Sequence, residues 1–240
     1  MRFLVTAGNT RERIDQVRDW GNSFTGTTGF SIAKALCEIG PVDLLSSNLQ
    51  HLVEAAADFA QRIHGTSFTT HEDLRRSLQS LLAAHTYDAI FMAAAIADYR
   101  PLRVFEVRQR QPDETGTERW LVRDVQAGKV KGSYQQIAVL GEPTPKIIDM
   151  FRSKWAYRGI LVKFKLEVGI GVDELLKIGE NSRLASGADF LVANTLDMVN
   201  GQNAGAYLLR AGGHEWVPRS ELAERMVALV RQSTAADRNR

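Results

Sequence analysis

The chain has 240 residues, 44% hydrophobic and 24% charged, enough to bury one large core or two modest ones. Its formal net charge of +2 is too near balance to argue for a nucleic-acid or membrane-surface partner. A single cysteine, Cys37, excludes a disulfide framework or cysteine-based metal site within one chain, and its place on the apolar face of a predicted helix marks a buried structural thiol. No apolar run reaches the ~20 residues of a membrane helix, and the first is too short for a signal peptide, so the expectation is a soluble, cytoplasmic protein.

In chain order, residues 2–6 form a short apolar run bounded by Ala7-Gly8-Asn9, which predicts a buried parallel strand. A long polar loop at 7–24 follows, rich in paired charges, and loops of that length in a compact domain are functional or disordered. A helix is predicted over 26–39, stopped by Gly40-Pro41, then a strand at 42–45 and a helix at 49–63. A short strand at 66–69, a helix at 71–85 with Leu74, Leu78, Leu81 and Leu82 on one face, and a continuous apolar strand at 87–92 extend the alternation. This pattern predicts an α/β fold, a Rossmann-like three-layer parallel sheet. Ligands of such sheets sit beyond the carboxyl ends of the strands, so the loops 7–24 and 93–101 should face one crevice.

Residues 104–141 break the pattern. They alternate polar and apolar and predict an antiparallel arm or flap with its tip near 113–116. The segment 100–123 also carries Arg100, Arg103, Arg108, Arg110, Arg119 and Arg123, a run that most often lines a solvated face. Beyond it come a helix at 146–155, a strand at 159–164, a helix at 173–185, a strand at 189–193, a closing strand pair at 206–209 and 215–217, and a helix at 220–230. Residues 1–233 are expected to form a single domain, and 234–240 a disordered tail.

Common site types are missing. There is no G-x-x-x-x-G-K-[ST] phosphate loop, no G-x-G-x-x-G fingerprint and no G-x-S-x-G elbow. The five histidines show no metal-ligand spacing, and surface or capping roles are expected for them. What remains is polar groups on loops. Residues 22–33, N-S-F-T-G-T-T-G-F-S-I-A, run from an Asn-led, glycine-punctuated loop into a helix, the geometry of an anion pocket. Taken alone, the plainer reading is favoured, with Thr25 capping the helix and Gly26 and Gly29 serving packing. Residues 93–101, A-A-A-I-A-D-Y-R-P, offer small residues beneath a flat ligand and Asp98 as an acceptor for hydroxyls or amines, or as a partner for Arg100. Lys129 and Lys131 flank Val130, suiting either a phosphate clamp or two solvated lysines on an edge. Thr144-Pro145-Lys146 reads as a helix start with Thr144 as N-cap.

Together these pieces resemble the phosphopantothenate–cysteine ligase (phosphopantothenoylcysteine synthetase) family of coenzyme A biosynthesis. The matching motifs are T-A-G-N-T-R-E-R-I-D-Q-V-R at 6–18, N-S-F-T-G-T-T-G at 22–29, A-A-A-I-A-D-Y-R-P at 93–101, K-V-K at 129–131, T-P-K-I-I at 144–148, F-K-L-E at 164–167 and A-D-F-L-V-A-N at 188–194. They cover nearly the whole chain in the family's order, and the length suits a stand-alone form without the decarboxylase domain. The resemblance implies an amide-forming ligase. The phosphopantothenate carboxylate attacks the α-phosphate of CTP or ATP, giving an acyl-nucleotidylate and pyrophosphate, and the cysteine amine then displaces the nucleotide. It places Asn22 and Lys129 in catalysis. It places Gly8, Ala94, Asp98, Lys129, Thr144, Pro145 and Phe164 at the nucleotide, and Asn22, Thr25, Gly26, Gly29 and Arg18 at the acid substrate. It further implies Mg2+ carried mainly by phosphates, no protein metal ligand, and a homodimer with the 104–141 arm reaching to the partner.

Departures from the family pattern bear on substrate. Phe24 and Thr27 stand where the family turn has a serine and a basic residue, and Glu142-Pro143 replaces lysines. The helix before 188–194 offers Asn181, Ser182, Ala185 and Ser186, with Arg183 as its nearest cation, where CTP-using members have two lysines. A diverged ligase joining another acid and amine, and a non-catalytic nucleotide-binding module, are the alternatives. A dinucleotide oxidoreductase is disfavoured by the missing glycine fingerprint.

Overall fold

The computed structural model describes residues 1–201 and 204–238, with 234–238 described for backbone only. Strand β1 (Phe3–Ala7) leads through a small antiparallel ribbon, β2 (Arg11–Arg13) and β3 (Asp19–Gly21), into helix α1 (Thr27–Leu36). Strand β4 (Val42–Ser46), helix α2 (Leu49–Asp58), strand β5 (Ile63–Ser67), helix α3 (His71–Ala84) and strand β6 (Ala89–Met92) follow. The arm comprises β7 (Tyr99–Pro112), β8 (Glu118–Asp124) and β9 (Ile137–Pro143). Helix α4 (Ile147–Ser153), β10 (Ile160–Glu167), α5 (Val172–Ser186), β11 (Phe190–Thr195), β12 (Gly205–Arg210), β13 (Gly213–Pro218) and α6 (Leu222–Arg238) complete the chain.

The main sheet has eight strands in the order β13-β12-β11-β10-β6-β1-β4-β5, parallel from β5 to β11, with β12 and β13 antiparallel at one edge. Residues of β1, β4 and β6 are buried throughout, as continuous apolar runs require when helices cover both faces. On one face Phe3, Val5, Phe91 and Val162 pack with Phe30 and Leu36 of α1, Ala55 of α2 and Met226 of α6. On the other, Leu4, Leu45, Ile90 and Leu161 meet Leu74 and Leu78 of α3 and Phe151 of α4, and Leu191 and Leu209 meet Leu175 of α5. The three-layer α/β expectation and the antiparallel arm are both observed.

Topology places the crevice. From β1 the chain steps outward to β4 and β5, then returns through α3 to β6 on the other side of β1. The loops after β1 and β6 therefore diverge at a switch point, where α/β sheets hold ligands.

Several boundaries differ from expectation. The 7–24 loop contains the β2–β3 ribbon, whose three-residue strands are too short to show a period. The strand expected at 66–69 lies at Ile63–Ser67, because His64 to Ser67 are exposed and carry no apolar signal. The last helix continues to Arg238 where a disordered tail from 234 was expected; residues 239 and 240 lie outside the described residues.

Candidate functional site

Two threonines that end or follow β1 join the crevice loops. Thr6 Oγ1 accepts from the Ala94 amide (3.1 Å), and Thr10 Oγ1 accepts from the Ala97 amide (2.8 Å). Between them, Ala95 N donates to Gly8 O (2.9 Å) and Thr10 N donates to Ala95 O (3.1 Å), a parallel bridge beyond the last residue of either strand. Both threonines are fully buried, so their hydroxyls must be satisfied by protein groups and not by water. Gly8 and Ala94 thus lie on the two loops that this seam joins.

Asn22 hangs over this seam. Its side-chain amide donates to Ala95 O at 3.4 Å, and its own carbonyl accepts from Asn9 Nδ2. Four residues on, the turn enters α1. Gly26 is the N-cap, with φ of 85°, and no side chain caps the helix; the first turn holds no acidic residue. The uncapped amides and the helix dipole leave a positive end beside Asn22. Thr25 does not cap α1: its hydroxyl lies 3.1 Å from that of Thr27, while its carbonyl accepts from Asn48 Nδ2 (3.1 Å).

The missing Cβ of Gly26 faces protein rather than an open pocket. A methyl there would lie 2.0 Å from Gly8 N, and one at Gly29 would lie 2.7 Å from Thr6 O. Both glycines let α1 press its first turn against the end of β1, and this packing sets where the free amides point.

The β2–β3 tip holds the lysine pair. Asp15 is buried, accepting from the Val17 and Arg18 amides (2.8 Å each) through Oδ1 and from the Val130 amide (3.0 Å) through Oδ2. These backbone donors, Val130 first, lower its carboxyl from the ordinary 3.8 to about 2. Arg18 pairs with Asp15 (2.9 Å) and donates to Val130 O, so its guanidinium is engaged in docking the arm base. Val130 is buried while Lys129 and Lys131 are exposed on either side, in a loop and not on an edge strand.

Thr144 is drawn into the same crevice, though not as a helix cap. Its hydroxyl donates to Ala97 O (2.6 Å) and its amide to Asp98 O (2.9 Å), while α4 starts later, with Lys146 as N-cap. The Pro145 carbonyl lies 2.7 Å from Nε2 of His71, whose amide donates to the buried carboxylate of Glu12 (2.6 Å). Asp98 is exposed and ion-paired with Lys146. Phe164, on β10, faces the α1 and α6 layer, and Lys163 and Lys165 face the opposite one. Burial, offset by Asp149, pulls the Lys163 amine down; its Nζ donates to Ser182 O of α5 (3.1 Å). Arg183 turns inward instead, buried against Glu180 (2.6 Å) and Ala188 O, and is not presented to the crevice.

Sequence reasoning assigned no role to Thr6, Thr10 and Asp15, although they lie in the 6–18 motif, because their work is to hold backbone amides of distant loops. It also misjudged two histidines: His51 and His71 are buried and hydrogen-bonded, not surface groups. The arginines of the arm are largely balanced, with Arg100–Glu142, Arg110–Glu118 and Arg123–Glu106 paired within 2.7 Å.

The sequence signature of the DNA/pantothenate metabolism flavoprotein C-terminal domain runs over residues 1–233. A coenzyme A biosynthesis bifunctional protein CoaBC from Thermococcus kodakarensis is 30% identical over 229 residues, covering 94% of this chain and 49% of its own length. The protein of the same name from Mycolicibacterium smegmatis is 35% identical over 136 residues, 55% of this chain and 31% of its own. The chain thus spans about half, or less, of the curated relatives it matches. Among solved structures, the DNA/pantothenate metabolism flavoprotein from Streptococcus pneumoniae shares the fold with a TM-score of 0.78 at 22% identity, covering 97% of this chain and 99% of its own. A Cab2 mutant in complex with phosphopantothenate-cysteine gives 0.70 at 16% identity, with 99% and 88% covered. By the extent of these matches, the chain belongs to the DNA/pantothenate metabolism flavoprotein C-terminal domain family.

Proposed function

We propose that this chain joins 4'-phosphopantothenate to cysteine through an acyl-nucleotidylate, working in the cytoplasm as a homodimer. One observation carries the reading: the Asn22 amide is held over the Gly8–Ala95 seam, next to the uncapped end of α1. Relatives that bear coenzyme A biosynthesis in their names support it. In the first step the acid's carboxylate oxygen bonds to the α-phosphorus of CTP or ATP as pyrophosphate leaves. In the second the cysteine nitrogen bonds to the acyl carbon, the nucleoside monophosphate leaves with the bonding pair, and the amine loses a proton. Charge grows first on the phosphoryl oxygens and then on the acyl oxygen, and fixed N–H donors stabilise it without reorganising.

Within this reading Asn22 holds the acyl group, and the α1 amides with Thr25, Gly26 and Gly29 hold the phosphate of the acid. Lys129 closes over the nucleotide α-phosphate, and Gly8, Ala94, Asp98, Thr144, Pro145 and Phe164 line the nucleotide. Arg18 belongs to the acid side through the loop it pins, since its guanidinium is committed to Asp15 and Val130. Magnesium would be carried on the nucleotide's phosphates and would shield their charge. Among the described residues no three His, Cys, Asp or Glu side chains gather in one place, so the phosphates would supply most of its oxygen ligands.

The test is pyrophosphate release with CTP and with ATP, in the presence and absence of phosphopantothenate and cysteine. Release should require the acid, amide product should require both, and Asn22→Asp should lose product while unfolding at the same temperature. No pyrophosphate with either nucleotide would overturn the reading. Phe24, partly exposed on the turn where a hydroxyl suits the acid's phosphate, favours a second reading in which a different carboxylate and amine are joined. A panel of acids and amines scored by nucleotide consumption separates the two.

A further inference from the structure

The turn that carries Asn22 and Thr25 is held from below by a hydrogen-bonded chain that begins at a buried histidine. Asn48 Nδ2 lies 3.1 Å from Thr25 O and 3.2 Å from Nε2 of His51. An amide nitrogen has two hydrogens and no lone pair to give, so it donates to both, and Nε2 must accept. The imidazole therefore carries its proton on Nδ1, which points at Ser46 Oγ (3.5 Å). That hydroxyl accepts from the Asn48 amide (3.1 Å) and lies 3.4 Å from the Asn48 carbonyl. Asn48 Oδ1 meanwhile caps α2 through the Gln50 amide (3.1 Å). The side chain of Asn48 is thus fully used, and its orientation depends on the lone pair of His51.

The ring cannot turn away cheaply. His51 is buried and stacks on Phe30 of α1, with centroids 4.5 Å apart and planes 15° from parallel. Lys34 Nζ lies 4.8 Å from the Phe30 centroid and pairs with Glu54 (3.0 Å). Lys34 from α1 and Glu54 from α2 are the charged groups that act on the imidazole, with opposite signs. Next to Asn48, Ser47 Oγ accepts from the Asn9 amide (2.8 Å), and Asn9 Nδ2 donates to the Asn22 carbonyl. The loop after β4 thereby grips both ends of the 22–25 segment.

We propose that His51 is a positioning residue: as the neutral Nδ1–H tautomer it orients Asn48, which fixes the Thr25 carbonyl and so the acid-binding turn. Protonation puts an N–H on Nε2 against an N–H of Asn48, and the grip on Thr25 is lost. Burial holds the imidazole below the ordinary histidine range, with Lys34 reinforcing and Glu54 opposing, so the device stays set at neutral pH. The structural part stands on contacts alone; its consequence for acid binding rests on the function proposed above.

The test compares the wild type with His51→Phe, which keeps the stacked ring without its acceptor, and His51→Gln, which restores an acceptor that does not titrate. Nitrogen-15 NMR should find the Nδ1–H tautomer in the wild type. The amide resonances of residues 22–27 should move in His51→Phe and return in His51→Gln. In kinetics the KM for the acid should rise about tenfold in His51→Phe, as loss of one oriented contact implies, with the nucleotide KM and melting temperature little changed. The wild type should lose acid affinity at low pH more steeply than His51→Gln, a comparison in which titration of the substrate's own phosphate cancels. An Nε2–H tautomer, unmoved 22–27 resonances, or an equal fall in every kinetic parameter with stability would overturn the proposal. If no product forms with any substrate, the function reading fails, while the tautomer and the amide shifts still decide this one.

Discussion

Replacing Gly26 by alanine would place a methyl carbon 2.0 Å from Gly8 N and 2.6 Å from Gly8 Cα, on a residue with φ of 85°. Neither atom is the flexible end of a side chain, so α1 and the end of β1 would have to part. Gly116, at the arm tip, has a similar φ of 81° but nothing within 4 Å of an added Cβ, so alanine there pays only the backbone strain. The comparison separates strain from crowding. Gly116→Ala should cost about 1 kcal/mol and Gly26→Ala roughly 3 kcal/mol or more, read as shifts in denaturant midpoint. Equal costs would mean that the seam between Gly26 and Gly8 gives way easily, and that the direction of the α1 amides is not fixed by it. At this scale the sequence was legible in part. N-S-F-T-G-T-T-G marks the turn, yet nothing in it says that Gly26 and Gly29 face β1, because close approach to a ligand and close approach to a strand demand the same residue.

Among the elements, the β2–β3 ribbon acts as a peg that seats the base of the arm. Asp15 gathers three backbone amides and the Arg18 guanidinium, and one of those amides belongs to Val130. Its folded-state pKa is depressed, so its contribution is fully present above the unfolded value and is lost as pH falls through the folded one. The Val130 amide should be protected from hydrogen exchange at neutral pH, lose protection from about pH 4 toward about pH 2, and be unprotected at neutral pH in Asp15→Ala. Protection that survives the substitution would mean that the lysine-bearing loop is held by something else. Long elements were legible because period and length agree: α3 runs His71–Ala84, against 71–85 from its leucine stripe. The ribbon was not, since three residues cannot display alternation. Thr144 was misassigned for a different reason. Thr-Pro has the chemistry of a helix start, and only the packed structure reveals that its hydroxyl is spent on Ala97 O.

For the whole molecule, the strand–helix alternation was enough to predict that the loops after β1 and β6 share a crevice, because parallel strands bring their carboxyl ends to one edge of the sheet. The seam of Thr6 and Thr10 that closes it was invisible, since a buried threonine bonded to backbone looks like any other threonine. The arm raises the remaining question of what covers it. This three-stranded sheet has little core of its own, and Val104 is its one fully buried side chain among the described residues of β7, β8 and β9. Leu121 is 63% exposed, Trp120 49%, Leu140 49% and Leu102 50%. Large apolar side chains left open on an exposed sheet invite association. With the balanced ion pairs of the arm offering little net charge to repel a like surface, a second copy of the chain is the expected cover. Sedimentation velocity should then find a dimer in the wild type, and Leu121→Asp should shift it toward monomer without lowering the melting temperature of the main sheet. A wild type that sediments as a monomer throughout the micromolar range would rule this out, and the active site would then have to be complete within one chain.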